Sequence, residues 1–469
     1  MTVQALLVLV IVVFLFSVSL TIGLGIRNHT PNSFRIGFTP VQPTRVLRAC
    51  GCKNDWSFGT NERLISNANF AQTQSIENEY GLNALIAFWG QFIDHDIVLT
   101  HQSPTEGIFP IQMVPYNVTL NMTRTDFVLS TSGCRELINL VTPAIDASTV
   151  YGDALSDPSF IYTLRDGALC KLRTGPGNLL PDHPTLTHEF LAGDPRSTEH
   201  SLLASMHTLW VREHNRLCDF VRAGQPTWTE TDVFWKTRQL VIAKIQKITF
   251  EEWLPALFGD LVYLLDDSLP SKDQLGANMA TEFTMAAFRF GHTLIPDPIG
   301  PFALPTLFFN RQLVKDYGIE PFLRAALNTT AQAVDNHIVD GLRNFLFSNN
   351  GPGEDLVTRN LFRAREVGLP TYSTVTQCYG SDPMNAETEL FPGLLKEPRV
   401  SGSSLPLNLA LIIAEQFRRI RKFDPDFYTR IATTMGTRYE FELARGTLQN
   451  VIQDNTYLTN VTANVFHVQ

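Results

Sequence analysis

The chain has 469 residues, 46 acidic and 37 basic, for a formal net charge of −9. That balance lacks the clustered Lys and Arg that displace counterions from a phosphate backbone, so a nucleic-acid partner is excluded. A 44% hydrophobic, 18% charged composition with 29 Gly and 27 Pro excludes disordered, collagen-like and low-complexity chains and can bury a large core; length alone suggests two or three domains.

The first segment to read is Ala5 to Ile26, 22 residues without a charge. At about 1.5 Å per residue it could cross a hydrocarbon core of about 30 Å. It also fits a signal peptide, with Leu6 to Phe16 as the apolar stretch and Ser17-Val18-Ser19 as a small-residue cleavage site, although the start lacks Lys or Arg. An anchor with Arg27 on its flank would hold the downstream chain in the cytosol. Six cysteines (Cys50, Cys52, Cys134, Cys170, Cys218, Cys378) and five N-x-S/T sites (Asn28, Asn117, Asn121, Asn328, Asn460) suit an oxidising compartment instead. Residues 1–26 are therefore read as a cleaved signal, with a signal anchor as the alternative. Spacing leaves the cysteine pairing open, except that Cys50-Gly51-Cys52 is too tight to pair with itself.

Apolar periodicity predicts helices with a buried face over Leu82–Thr100, Ser201–Arg222, Thr231–Glu251, Met279–Phe290 and Leu405–Lys422. Pro- and Gly-rich breaks fall at Pro40–Pro43, Thr174–Pro184, Pro296–Pro305 and Gly351–Gly353, and no long repeat is present. Alternating β-branched runs are sparse. The class is mainly α, with few short strands.

Five segments carry polar groups that an apolar helix does not otherwise need. In FWGQFIDHDIVLTH (Phe88–His101), Gln91, Asp94 and His95 share a face at i, i+3, i+4, and Asp96 is turned toward a neighbouring element. Buried together, they need partners or a cofactor; a polar network between helices and a lone metal site are the alternatives. In TPAIDASTVYG (Thr142–Gly152), Thr142, Asp146, Ser148 and the Ala144 carbonyl offer hard oxygens that suit Ca²⁺ if Asp96 joins them; alone, the segment reads as a polar turn. In DPRSTEHSLLASMHTLWVREHNR (Asp194–Arg216), Arg196 and Glu199 are spaced for an i,i+3 ion pair, and Glu213 and His214 read as structural contacts. AAFRFGHTLIPDP (Ala286–Pro298) places Arg289 one turn before His292, and RNLFRAREVGLPTY (Arg359–Tyr372) places Asn360 and Arg363 three apart.

In this order WGQFIDHD, IDASTVYG, SMHTLWVREHNR and FRFGHTLI resemble the animal haem peroxidase family of the peroxidase–cyclooxygenase superfamily, on its peroxidase branch, from about Arg63 to Phe466. The resemblance implies one large, mostly helical domain over residues 27–469 around a buried haem b, in place of several domains. It implies that His95 is the distal histidine, Gln91 its companion and Arg196 the distal arginine. His292 would ligate the haem iron, with Asn360 on its outer nitrogen and Arg289 and Arg363 facing the propionates. Asp94 and Glu199 match the carboxylates that can esterify the haem. Asp96, Thr142, Ala144, Asp146 and Ser148 match a calcium site.

The implied activity is a secreted or membrane-anchored peroxidase that uses hydrogen peroxide to oxidise halides, thiocyanate or phenols through a high-valent haem intermediate. Membrane contact is expected only if the first segment stays uncleaved. The alternatives are a fatty-acid oxygenase, and an adhesion or matrix protein that keeps the fold without turnover. Against the first, Glu282–Ile295 holds no Tyr; against the second, His95, Arg196 and His292 are all in place. The sequence departs from the family at His200, where a sulfonium-forming methionine occurs in one member, and at Glu366-Val367, which replace Asp-His. Gln453 stands at a frequent disulfide cysteine, and Gly380–Pro398 is compressed. The absent thioether at residue 200 predicts poor oxidation of chloride.

Overall fold

The computed structural model describes residues 44–52, 60–152, 163–348 and 351–469. The expected signal segment, residues 1–26, lies outside them, and no helix among the described residues is long and apolar enough to cross a membrane. A continuous hydrophobic cluster runs from Val46 near the start of the described chain to Phe466 near its end.

The architecture is mainly α. Helix α1 spans Glu62–Asn69 and is N-capped by Asn61, whose side chain accepts from the Arg63 and Leu64 amides. Helix α2, Leu85–Ile97, is hydrophobic almost all round: ten of its thirteen residues are buried. It is shorter than its apolar pattern, because Leu82 and Asn83 bridge to His467 and Thr330 instead of continuing the helix. Helix α3, Ser201–Gly224, begins at an N-cap His200. Helix α4, Glu230–Ile248, opens on a Thr229–Asp232 capping box and widens into a π-helical turn at Thr249–Trp253. Helices α5 (Leu356–Glu366) and α6 (Leu407–Phe423) complete the frame of the site.

One expected helix is absent. Met279–Phe290 is a two-residue strand at Met279–Ala280, a short helix at Thr281–Met285 and most of a 3₁₀ turn at Ala287–His292. Tertiary pairing overrides the apolar period: Met279 and Ala280 lie parallel to Val46 and Leu47 of a strand at Thr44–Leu47. Ala286 then breaks the helix at φ −141°, ψ −69°. Strands are few, as expected. Strands Gln102–Gln112 and Thr119–Thr125 form a long hairpin, whose buried face, Ile111, Met113, Leu120 and Met122, makes a small separate core with Phe362 of α5.

Three disulfides join Cys50 to Cys378, Cys52 to Cys134 and Cys170 to Cys218. The two half-cystines around Gly51 thus take separate partners, as their spacing requires.

Candidate active site

A cavity of about 500 Å³ lies where α2, the turn at Pro195–Thr198, the 3₁₀ turn Ala287–His292 and α5 converge. Gln91, Asp94, His95, Arg196, Glu199, Arg289, His292 and Arg363 all line it. Residues from four distant stretches of sequence therefore share one space.

Helical spacing explains the α2 contribution. Gln91, Asp94 and His95 sit at i, i+3, i+4 and face the cavity, whereas Asp96 points the other way and is wholly buried. Burial, then the neighbouring Arg196 charge, push His95 well below the ordinary imidazole pKa, so its ring is neutral. Burial raises Asp94 to about 6 and Glu199 to about 7.

Arg196 does not form the expected i,i+3 ion pair with Glu199. It lies in the 3₁₀ turn that Asp194 caps, and that buried carboxylate, two residues away, takes the guanidinium. Nε donates to Asp194 Oδ1 at 2.9 Å and Nη2 to Oδ2 at 2.7 Å. Nη1 and Nη2 also donate to the Val98 and His95 carbonyls, each at 3.1 Å. One Nη1 hydrogen remains for the cavity.

Glu199 instead accepts from Gln91 Nε2 at 3.2 Å, and Gln91 Oε1 lies 2.7 Å from His200 Nε2. His200 Nδ1 accepts from the Leu203 amide at 3.1 Å as the α3 cap, so Nε2 carries the proton and donates to Gln91. This relay has no spacing signature, and sequence reading finds only that His200 lacks a thioether.

His292 follows Gly291, where a Cβ would meet open space. The Asn360 amide nitrogen is 2.9 Å from His292 Nδ1, and Arg289 Nη1 donates to Asn360 Oδ1 at 2.9 Å. Asn360 is placed by α5, which Asp355 caps while also taking Arg63 Nη1 at 2.6 Å. Arg289 is half-buried, with no carboxylate at ion-pair distance among the described residues; desolvation lowers its pKa to about 10. Arg363 donates to Glu366 Oε1 at 2.7 Å and to the Thr123 carbonyl, leaving Nη2 buried without a partner. Glu366 also accepts from the Thr125 amide and hydroxyl, so the departure from Asp-His leaves local structure intact. Arg359, which the motif reading left without a role, lines the cavity as well, paired with Glu354.

Behind α2, Asp96 gathers the 142–149 loop. Its Oδ2 accepts from the Ala147 amide at 3.0 Å; its Oδ1 accepts from Ser148 Oγ at 3.1 Å and the Thr149 amide at 3.0 Å. Asp146 accepts from Thr142 Oγ1 at 2.9 Å and the Ser148 amide at 3.1 Å. Ala147 is held at φ 60°, a left-handed conformation uncommon for alanine. Burial and the neighbouring Asp96 raise Asp146 to about 8. Among the described residues no cluster of three or more His, Cys, Asp or Glu is placed to hold a metal, so any cation here would rely on two carboxylates plus hydroxyl and carbonyl oxygens. Glu213 and His214 lie elsewhere: Glu213 pairs with Arg216 and Lys244, and His214 bonds Tyr151 and the Cys170 carbonyl.

The donor set fits haem. A cavity-lining imidazole whose outer nitrogen meets the Asn360 side chain suits axial ligation when that amide presents its oxygen to Nδ1–H. Arg289, with no carboxylate at ion-pair distance among the described residues, and the unpartnered Nη2 of Arg363 offer guanidinium donors to the cavity. An animal haem peroxidase family model matches residues 54–390. Peroxinectin A of Dictyostelium discoideum is 29% identical over 493 residues, covering 89% of this chain and 88% of the relative. Human eosinophil peroxidase is 30% identical over 483 residues, covering 84% and 67%. Among solved structures, peroxidase A from Dictyostelium discoideum superposes with a TM-score of 0.76 at 27% identity, covering 91% of this chain and 96% of its own. The fatty acid alpha-dioxygenase of Oryza sativa, at 18% identity, a TM-score of 0.74 and coverage of 91% and 84%, shares the fold.

Proposed function

The chain belongs to the animal haem peroxidase family and is a haem peroxidase; we propose that it oxidises small anionic or phenolic donors outside the cytosol, using His95, Arg196 and His292 as its central residues. The observation that carries this is the convergence of His95 and Arg196 with the His292–Asn360 pair on one cavity.

Bound there, haem b would supply the iron, with His292 as the residue to ligate it, and the oxidising power drawn from peroxide. The protein's own contribution is proton handling and charge. Neutral His95 can take a proton from one peroxide oxygen and return it to the other. Arg196, anchored by Asp194, keeps one Nη1 hydrogen to stabilise charge on the departing oxygen. Arg289 and Arg363 would hold the propionates, and Asp94 and Glu199 are the candidates for ester links. Asn360 fixes the His292 ring.

Ca²⁺ suits the Asp96–Asp146 loop, where two buried carboxylates repel each other and the remaining donors are hard oxygens from Thr142, Ala144 and Ser148. Secretion is supported by the three disulfides and by the exposure of Asn117, Asn121, Asn328 and Asn460. The test is an absorption spectrum of the purified holoprotein followed by guaiacol and halide turnover. A Soret band with peroxide-dependent turnover is expected; a haem-bound protein that turns over none of these donors contradicts the reading.

A further inference from the structure

His95 and His207 each carry a buried ring nitrogen without a hydrogen-bond partner, Nδ1 of His95 and Nε2 of His207. Both rings are almost wholly enclosed, at 5% and 1% exposure. His95 comes from α2 and His207 from α3, where its ring packs edge-on against Phe92 at 5.3 Å. Asp194 acts on both: its charge is felt at each imidazole, and its Oδ1 is 3.9 Å from His95 Nδ1.

That gap is too long for a direct hydrogen bond. Asp194 is not free to close it, because Arg196 holds Oδ1 through its amide and Nε, at 2.7 and 2.9 Å, and Oδ2 through Nη2 at 2.7 Å. His207 is fixed too. Its Nδ1 lies 3.1 Å from the Thr149 carbonyl, which only accepts, so Nδ1 bears the proton and Nε2 is a bare acceptor. Orphaned buried nitrogens are costly, and polar groups separated by more than a hydrogen-bond length are where a bridging water is held.

We infer that His95 Nδ1, Asp194 and His207 Nε2 form a binding site for one water molecule behind the cavity-facing imidazole, which makes His207 a positioning residue for His95. The water accepts from His95 Nδ1–H and donates one hydrogen to His207 Nε2 and the other to Asp194. The His95 proton is thereby kept on Nδ1. Its Nε2 lone pair is left toward the cavity, as a base acting on peroxide requires. This rests on the reading of His95 as that base.

A high-resolution crystal structure of the holoenzyme tests the site without using activity. An ordered water within hydrogen-bond reach of all three groups is expected; a site closed by direct side-chain contact would overturn the inference. The role is tested with His207→Phe, which removes the acceptor, and His207→Gln, which restores one. Stopped-flow mixing with peroxide at matched haem content should show H207F slowed at least about 10-fold and H207Q within about 3-fold of wild type. An H207F rate equal to wild type would overturn the positioning role. A slow His95→Ala beside an unaffected H207F removes this inference alone, whereas a fast His95→Ala removes the reading beneath it.

Discussion

His200 Nε2 donates to Gln91 Oε1 at 2.7 Å, and Gln91 in turn donates to Glu199 at 3.2 Å. Residue 200 is thus occupied by an imidazole committed to hydrogen bonding, with no thioether to link to haem. A sulfonium link would withdraw electrons and favour oxidation of chloride; ester links, for which Asp94 and Glu199 are the proposed residues, would tune haem less strongly. The expected outcome is ready bromination of taurine and slow chlorination under matched neutral conditions. Chlorination as fast as bromination would contradict the link between residue 200 and halide choice.

His95 is buried and neutral at the cavity face of α2. His95→Ala should slow the reaction with peroxide by about 10²- to 10⁴-fold in stopped-flow mixing, since that is what a positioned acid–base group contributes. A rate near wild type would remove the assignment.

The Asp96–Asp146 loop should bind one Ca²⁺ per chain. Elemental analysis of extensively dialysed protein is expected to find it, and Asp96→Asn should lose it together with thermal stability, because Asp96 also holds the Ala147, Ser148 and Thr149 donors. Calcium-free protein whose activity and melting temperature ignore chelators would count against the site.

Glu199 supplies a pH test in haem-free protein. Its folded pKa is raised to about 7 by burial, above an unfolded value of about 4.3. A carboxyl with a raised folded pKa contributes stability that is complete below the unfolded value and is lost as pH rises through the folded one. Melting temperature should therefore fall between about pH 4.3 and 7, and Glu199→Gln should flatten that slope. An unchanged slope in the variant would show that Glu199 does not titrate there.

Much of the site is legible in sequence because α-helical spacing is rigid. Gln91, Asp94 and His95 share one face of α2, with Asp96 turned away, whatever the rest of the fold does. Long apolar stretches such as Ser201–Arg222 and Leu405–Lys422 read well for the same reason. What escapes is set by distant partners. The strand at Met279–Ala280 exists because Val46 and Leu47 pair with it. Arg196 turns to Asp194 because that carboxylate caps the turn carrying it and takes both Nε and Nη2, which i,i+3 spacing does not reveal. The long hairpin 102–125 keeps only one face apolar, against Phe362, and Pro104 to Gly107 interrupt its register, which blurs the alternation that would announce it.

The measurement closest to the central claim is haem content and absorption of His292→Ala beside wild type. With Asn360 on its outer nitrogen and Gly291 leaving open space beside it, His292 should be the axial ligand. The variant is expected to lose stoichiometric haem or to show a displaced Soret band and no peroxidase turnover. A His292→Ala protein with full haem, an unchanged spectrum and wild-type turnover would contradict the account.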